Sequence, residues 1–293
     1  MPRVRHTQLL FAIFVVTLFW IITISGSGET YPPLRYAQKF SDQFKYAGTL
    51  DFKESSQQAD EQTPTNSESF TEILDDVDSH NLIVKHSKGE TVVLVLASNG
   101  GGNQGDIEGL LEMVVEDRTS YAKRHGYGFF YTNTDRYNAG DMHPAWLKSK
   151  AISEAMMTFP KASWFWWLDQ DAIIMTPSLS IEAALLNPKI LGQKLLSLEK
   201  YIREGIPDAF SPEVYNLDKV DLIFSQDHNG LNTGSMLIRR SLWTDIVLDL
   251  WNNPDLVQAT EFGKEQDLIR DLLVRHDTFR THAGIVQQRL INA

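Results

Sequence analysis

Two carboxylates stand two residues apart between apolar runs. Trp164-Phe165-Trp166-Trp167-Leu168 precedes Asp169-Gln170-Asp171, and Ala172-Ile173-Ile174-Met175 follows. The first run is too short for an independent helix, rich in aromatics and stopped by charge, so it reads as a buried strand. At a strand end, carboxylates at i and i+2 can reach one point if the chain turns there. Two hard oxygen ligands on one point suit Mn²⁺ or Mg²⁺, which are usually held by one or two carboxylates plus the phosphates of a substrate. The chemistry offered is a divalent-cation site for a nucleotide diphosphate. The plainer alternative is a solvated turn after a core strand. Against it stands the cost of leaving carboxylates unpaired between two buried runs.

A second candidate is the glycine-rich stretch Ser98-Asn99-Gly100-Gly101-Gly102-Asn103. A strand-to-helix loop of this kind lets the backbone approach a phosphate closely, so Ser98, Asn99 and Gly100 are candidate nucleotide contacts. The spacing lacks the dinucleotide fingerprint and does not read as a nicotinamide site.

The elements that must position these residues alternate. Thr91–Ala97 is a near-continuous aliphatic run, as in a parallel strand covered on both faces. A helical pattern runs from Ile107 to about His125, with Gly126 as its C-cap. Tyr127–Tyr131 reads as a strand, and Pro144–Met157 as a helix with proline in its first turn. Trp164–Leu168 is the third strand, and Ile181–Leu186 reads as helical. Leu222–Phe224 and Leu231–Arg239 are strands, with Gly230 and Gly234 allowing close backbone approach. Ser241 caps a helix, and a final helix runs from about Lys264 to His276. This alternation predicts an α/β sandwich with a mostly parallel central sheet. Ligands of such sheets sit at the carboxyl ends of strands, where both candidate segments fall.

The formal charge is −11 over 293 residues, and residues 51–80 alone contribute −8 of it. No basic patch argues for nucleic acid. With no cysteine, disulfides, thiolate chemistry and cysteine-based zinc sites are excluded. Arg3 and Arg5 precede an uncharged run from Thr7 to Gly28, almost wholly apolar from Leu9 to Ile24. That length suits a membrane span, and the arginines put the N-terminus in the cytosol. The alternative is a cleaved signal peptide with Ser25-Gly26-Ser27 as its small-residue site. Three segments are therefore expected: a cytosolic tail and signal-anchor over 1–28, an acidic stem over 29–89 with a short helix at Ile73–Val84, and a folded domain over 90–293.

Taken in order, the motifs resemble the fungal galactosyl/mannosyl transferase family, glycosyltransferase family thirty-four. The matching pieces are Asp117-Arg118-x-x-Tyr121-Ala122-x-x-His125-Gly126-Tyr127, His143-x-x-Trp146-x-Lys148, Trp164 through Met175, Gln226-Asp227-x-Asn229-Gly230-Leu231-Asn232-Thr233-Gly234-Ser235, Glu265-Gln266-Asp267 and Gln288-Arg289-x-Ile291-Asn292. The wording looks closest to subunits of Golgi α-1,6-mannan polymerase complexes.

The resemblance implies a single-pass type II Golgi membrane enzyme with a lumenal catalytic domain of the GT-A nucleotide-sugar type. It implies Mn²⁺-dependent hexosyl transfer to a glycan on a glycoprotein or glycolipid, with retention of configuration and with Mg²⁺ as the alternative cation. Mannose from GDP-mannose is the expected donor, and UDP-galactose fits the motifs too. Asp169 and Asp171 are implied metal ligands. Glu265, Gln266 and Asp227 are implied catalytic residues. Gln226, Asn232 and Gly234 are implied to lie near donor or acceptor. The same acids at Glu265 and Asp267 also fit a helix first turn. His125 reads as a helix-end residue, and His143 is ambiguous.

Family members continue past Gln288-Arg289-x-Ile291-Asn292 with another strand and a histidine that is a third metal ligand, so the domain is expected to be C-terminally truncated. That keeps open a non-catalytic subunit that binds other mannosyltransferase subunits. A phosphohydrolase with Asp169 as nucleophile fits less well, because it wants Thr or Val where Ile173 stands and its motif on the first strand. A lectin would not need buried paired carboxylates.

Overall fold

The computed structural model describes residues 70–74, 81–86, 89–101, 107–138, 142–202, 208–260 and 265–291. These belong to one compact unit spanning Pro64–Ala293. The expected membrane span and most of the expected stem lie outside the described residues. Among the described residues, no helix is long and apolar enough to cross a membrane.

Among the described residues, eight strands form one sheet: β1 Phe70–Leu74, β2 Leu82–His86, β3 Val92–Ala97, β4 Gly128–Thr132, β5 Trp164–Leu168, β6 Leu222–Asp227, β7 Gly230–Arg239 and β8 Ala283–Val286. Their order across the sheet is β1-β2-β4-β3-β5-β7-β6-β8. The helices are α1 Leu110–His125, α2 Leu147–Thr158, α3 Pro188–Lys194, α4 Leu242–Trp251, α5 Pro254–Ala259, α6 Glu265–Arg275 and α7 Asp277–Arg280.

Strands β3 and β5 are apolar throughout because both faces are covered. Val93, Val95, Phe165, Trp167, Phe224 and Met236 share one core with α2, α4 and α6. Their sequence neighbours Val92, Leu94, Trp166, Leu168, Ile223 and Leu237 share the other with α1 and α3. The period-2 alternation of a strand sends successive side chains into opposite cores. The predicted sandwich is therefore correct in its layers.

Three expectations are corrected. The sheet is mixed rather than mostly parallel: β4, β3 and β5 run parallel and β6 parallels β8, but β1–β2, β2–β4, β5–β7 and β6–β7 are antiparallel. Only two residues, His228 and Asn229, separate β6 from β7, too few for the crossover that a parallel pair needs. Second, the sheet begins before Glu90. Strands β1 and β2 occupy part of the segment expected as stem, and the ends of the expected 73–84 helix are strands paired with each other. Their β-branched residues, Ile73, Ile83 and Val84, suit a strand better than a helix. Third, α7 and β8 follow the helix expected to be last. β8 is only four residues, Ala283-Gly284-Ile285-Val286, too short to show a period. The expected helix at 181–186 is a π-helical turn at Glu182–Leu186.

The strand directions gather the site. The carboxyl ends of parallel β3, β4 and β5 share one sheet edge. Antiparallel β7 brings its amino-terminal half there, with Leu168 opposite Ser235. The ladder between β6 and β7 breaks after Phe224: Phe224 faces Met236, but Ser225 faces Asn232. Thr233, Gly234 and Ser235 are thus released from β6 on the side of β5. A bulge of this kind re-aims side chains beside a site.

Candidate active site

Asp169 leaves the end of β5 with its backbone still in the ladder, its N–H donating to Gly234 O at 2.7 Å. Its Oδ1 accepts from Trp167 Nε1 at 2.7 Å and from Lys148 Nζ at 3.3 Å. Oδ2 makes no hydrogen bond or ion pair with a described residue. Asp171 is exposed and has no hydrogen-bond partner among the described residues.

The turn that carries them is held from below by Arg118, whose residue is 0% exposed. Its Nη2 donates to the carbonyls of Asp169 at 2.7 Å and Ala172 at 3.0 Å, and its Nη1 to Val114 O at 3.0 Å. Burial lowers its pKa to about 10, partly offset by Asp117, Asp169 and Asp171, so it stays charged at neutral pH. Ile174 N–H donates to Asp117 Oδ2 at 3.2 Å, closing the turn. Helix α1 therefore holds the turn that carries the two carboxylates.

The second structural group is Lys148, the second residue of α2 and 5% exposed. Its Nζ lies 2.9 Å from Glu265 Oε1 and 3.2 Å from Thr233 Oγ1, besides Asp169. Thr233 Oγ1 donates to Glu265 Oε1 at 2.8 Å. Burial alone would raise the Glu265 pKa, but Lys148 and Thr233 carry it below the usual carboxylate range. Burial likewise opposes the Lys148 charge, and Asp169 and Glu265 overcome it and raise its pKa. The result is a buried ion pair joining the start of α6 to the end of β5.

The glycine-rich loop is tied to the same turn. Ser98 Oγ contacts Gln170 Oε1 and accepts from Gly100 N at 2.9 Å, and Gln170 Nε2 donates to Gly101 O at 3.0 Å. Asn99 Nδ2 donates to Asp135 Oδ1 at 2.8 Å. Gly100 sits at φ 81°, where only glycine is unstrained. Ser98, Asn99 and Gly100 thus share one edge with Asp169.

On β7, Asn232 uses its amide internally: Oδ1 accepts from Gly234 N at 2.7 Å, and Nδ2 donates to Asp227 Oδ2 at 2.8 Å. A Cβ on Gly234 would lie 2.9 Å from Asn232 Oδ1 and 3.3 Å from Asp169 Oδ2, so glycine lets the carboxylate lie on the backbone. Asp227 Oδ1 accepts from Asn229 N at 2.6 Å, which shapes the β6–β7 turn. Gln226 is turned to the segment beside it, accepting from Ile202 N at 3.0 Å and donating to Lys200 O at 3.1 Å. Gln266 is half-buried beside Glu265.

Sequence reasoning missed the roles of Lys148, Arg118, Thr233, Trp167 and Gln170. All stand inside the quoted motifs, but nothing in their spacing says that the lysine and arginine are buried. His125 ends α1 and its Nε2 lies 2.9 Å from Pro177 O, a helix-end role as expected. His143 caps the turn before α2 by accepting from Ala145 N at 3.2 Å.

Among the described residues, no three His, Asp or Glu side chains converge on one point. Asp169 Oδ2 and Asp171 are two hard oxygen groups without partners among the described residues. That fits a cation whose remaining positions are filled by water and a substrate diphosphate.

Residues 88–293 match the galactosyl transferase GMA12/MNN10 family. A probable alpha-1,2-galactosyltransferase, gmh1 of Schizosaccharomyces pombe, is 37% identical over 212 residues, covering 70% of this chain and 63% of that protein. A probable alpha-1,6-mannosyltransferase, MNN10 of Saccharomyces cerevisiae, is 32% identical over 216 residues, covering 69% of this chain and 53% of that protein. A solved glycosyltransferase involved in glycosylation of the major capsid of PBCV-1 aligns with a TM-score of 0.46 and 16% identity, over 67% of this chain and 82% of that one. The chain spans 53–63% of the length of these two curated relatives. It belongs to the galactosyl transferase GMA12/MNN10 family.

Proposed function

We propose that this family member transfers a hexose from a nucleotide sugar to a glycan hydroxyl, with its diphosphate bound at Asp169 and Asp171. The observation that carries this reading is that Asp169 Oδ2 and the Asp171 carboxylate have no partner among the described residues, on a turn that buried Arg118 holds in place. A divalent cation held by these two groups would offset the negative charge that develops on the departing diphosphate. Mn²⁺ is the expected cation. Ser98, Asn99 and Gly100 present the glycine-rich backbone to the nucleotide.

Glu265 suits an electrostatic role better than that of a nucleophile. It is buried, and its Oε1 is engaged by Lys148 and Thr233. Retention then needs no enzyme nucleophile, provided the acceptor hydroxyl attacks from the face that the diphosphate leaves and passes its proton to the departing diphosphate oxygen as the anomeric C–O bond breaks. Gln266, next to Glu265, is a neutral amide without a hydrogen-bond partner among the described residues and suits a sugar hydroxyl. Asn232, Asp227 and Gln226 act by shaping the cleft wall.

Mannose from GDP-mannose is the first donor reading. Galactose from UDP-galactose is the second, favoured by 37% identity to gmh1 against 32% to MNN10. The Golgi lumen, with anchoring through Leu9–Ile24, is the proposed location.

The test is turnover of GDP-mannose, UDP-galactose and UDP-xylose by the full chain, with and without Mn²⁺. One donor should be consumed in a Mn²⁺-dependent way, and Asp171→Asn should abolish this. Equal turnover by the variant would overturn the assignment. Absence of turnover with any donor, in a chain that still binds a nucleoside diphosphate, would favour the non-catalytic subunit.

A further inference from the structure

The two oxygens of Asp169 are not equivalent. Oδ1 is held by Trp167 Nε1 at 2.7 Å and Lys148 Nζ at 3.3 Å. Oδ2 is free of protein partners among the described residues and lies over Gly234. Both donors are themselves fixed. Trp167 is 3% exposed, and Lys148 Nζ stands 5.5 Å from the centre of its ring. Trp167 Nε1 has no other acceptor among the described residues, so leaving Oδ1 would strand a buried donor, which is costly.

We propose that Trp167 and Lys148 are positioning residues that make Asp169 a one-oxygen ligand and thereby set the site's preference for Mn²⁺ and Mg²⁺ over Ca²⁺. This rests on the reading of Asp169 as a cation ligand. Small cations demand near-octahedral geometry and are content with one oxygen from a carboxylate. Ca²⁺ takes more oxygens at longer range and often grips a carboxylate through both. A carboxylate with one oxygen already engaged by two donors cannot offer that grip. The indole donor is neutral and strong in geometry. The ammonium adds a positive charge on the Oδ1 side, which disfavours a cation sliding toward that oxygen.

Two variants separate this role from a merely structural one. Trp167→Phe keeps an aromatic body and removes the donor. Lys148→Met combined with Glu265→Gln removes the ammonium without leaving a buried carboxylate unpaired. Mn²⁺ binding to the full chain with GDP or UDP present is followed by electron paramagnetic resonance, with Ca²⁺ as competitor, and cation-free melting curves report folding. The parent should bind Mn²⁺ and resist Ca²⁺. In Trp167→Phe, Mn²⁺ affinity should fall roughly ten-fold or more, as for other outer-shell partners, while Ca²⁺ competes at lower relative concentration. The double variant should shift the ratio in the same direction. Should Trp167→Phe fail to fold, the double variant carries the test. Loss of both cations in proportion, or an unchanged ratio in the folded variants, overturns the proposal. A parent that binds neither cation overturns the cation-site reading itself, and this proposal with it.

Discussion

At the scale of single residues, the two aspartates are not alike. Asp171 is exposed and without a partner among the described residues, so Asp171→Asn should leave melting unchanged while transition-state stabilisation falls by several kcal/mol. Asp169→Asn should cost activity and also some stability, because Asp169 answers buried Lys148 and Trp167. Melting and turnover measured on both variants check this, and equal melting shifts would contradict it. Lys148→Met should be harsher. It leaves Glu265 charged and buried without its cation, a loss of about 3–5 kcal/mol. For a domain of this size, that is a fall in melting temperature of about 10 °C. Adding Glu265→Gln should restore much of it. The aspartates were legible in the sequence because charge between apolar runs is conspicuous. Lys148 was not, because burial of its ammonium depends on Glu265 and Asp169 arriving from elements 117 and 21 residues away.

At the scale of elements, the site is fixed by a helix that clamps a turn and a strand that bulges. Arg118→Met would leave the Ala172 carbonyl without its donor and the Asp169 carbonyl with only the Ala172 N–H, at a cost of about 1–3 kcal/mol. Amide hydrogen exchange over residues 169–174 should quicken in this variant. Unchanged exchange there would show that the turn stands without the clamp. Gly230 turns the chain into β7 at φ 102°, and a Cβ there would meet Ile202 O at 2.5 Å. Gly230→Ala should therefore lower the denaturant midpoint by the equivalent of about 1–3 kcal/mol. The strands β3 and β5 were legible because burial on both faces writes a continuous apolar run. The direction of β6 and β7 was legible in principle from the short link between them, yet the alternation of elements suggested parallel pairing. Strands β1 and β2 were missed because they border a polar, acidic segment, and β8 because four residues carry no period.

At the scale of the whole molecule, one sheet edge collects the ends of β3, β5 and β6, the start of β7 and the first turns of α2 and α6. The order of the motifs along the chain was enough to name the family, and several of them supply pieces of this edge. What order alone did not reveal were the contacts: Gln226, Asp227 and Asn232 make hydrogen bonds within this edge, and buried Lys148 joins Asp169 to Glu265. The central claim is that Asp169 and Asp171 join a divalent cation to a nucleoside diphosphate. Isothermal titration of GDP and UDP into the full chain, with Mn²⁺ and with chelator, tests it most directly. One nucleotide should bind only with Mn²⁺, and Asp171→Asn should lose that binding while melting as the parent does. Binding that is equally strong in chelator, or retained in Asp171→Asn, would contradict it.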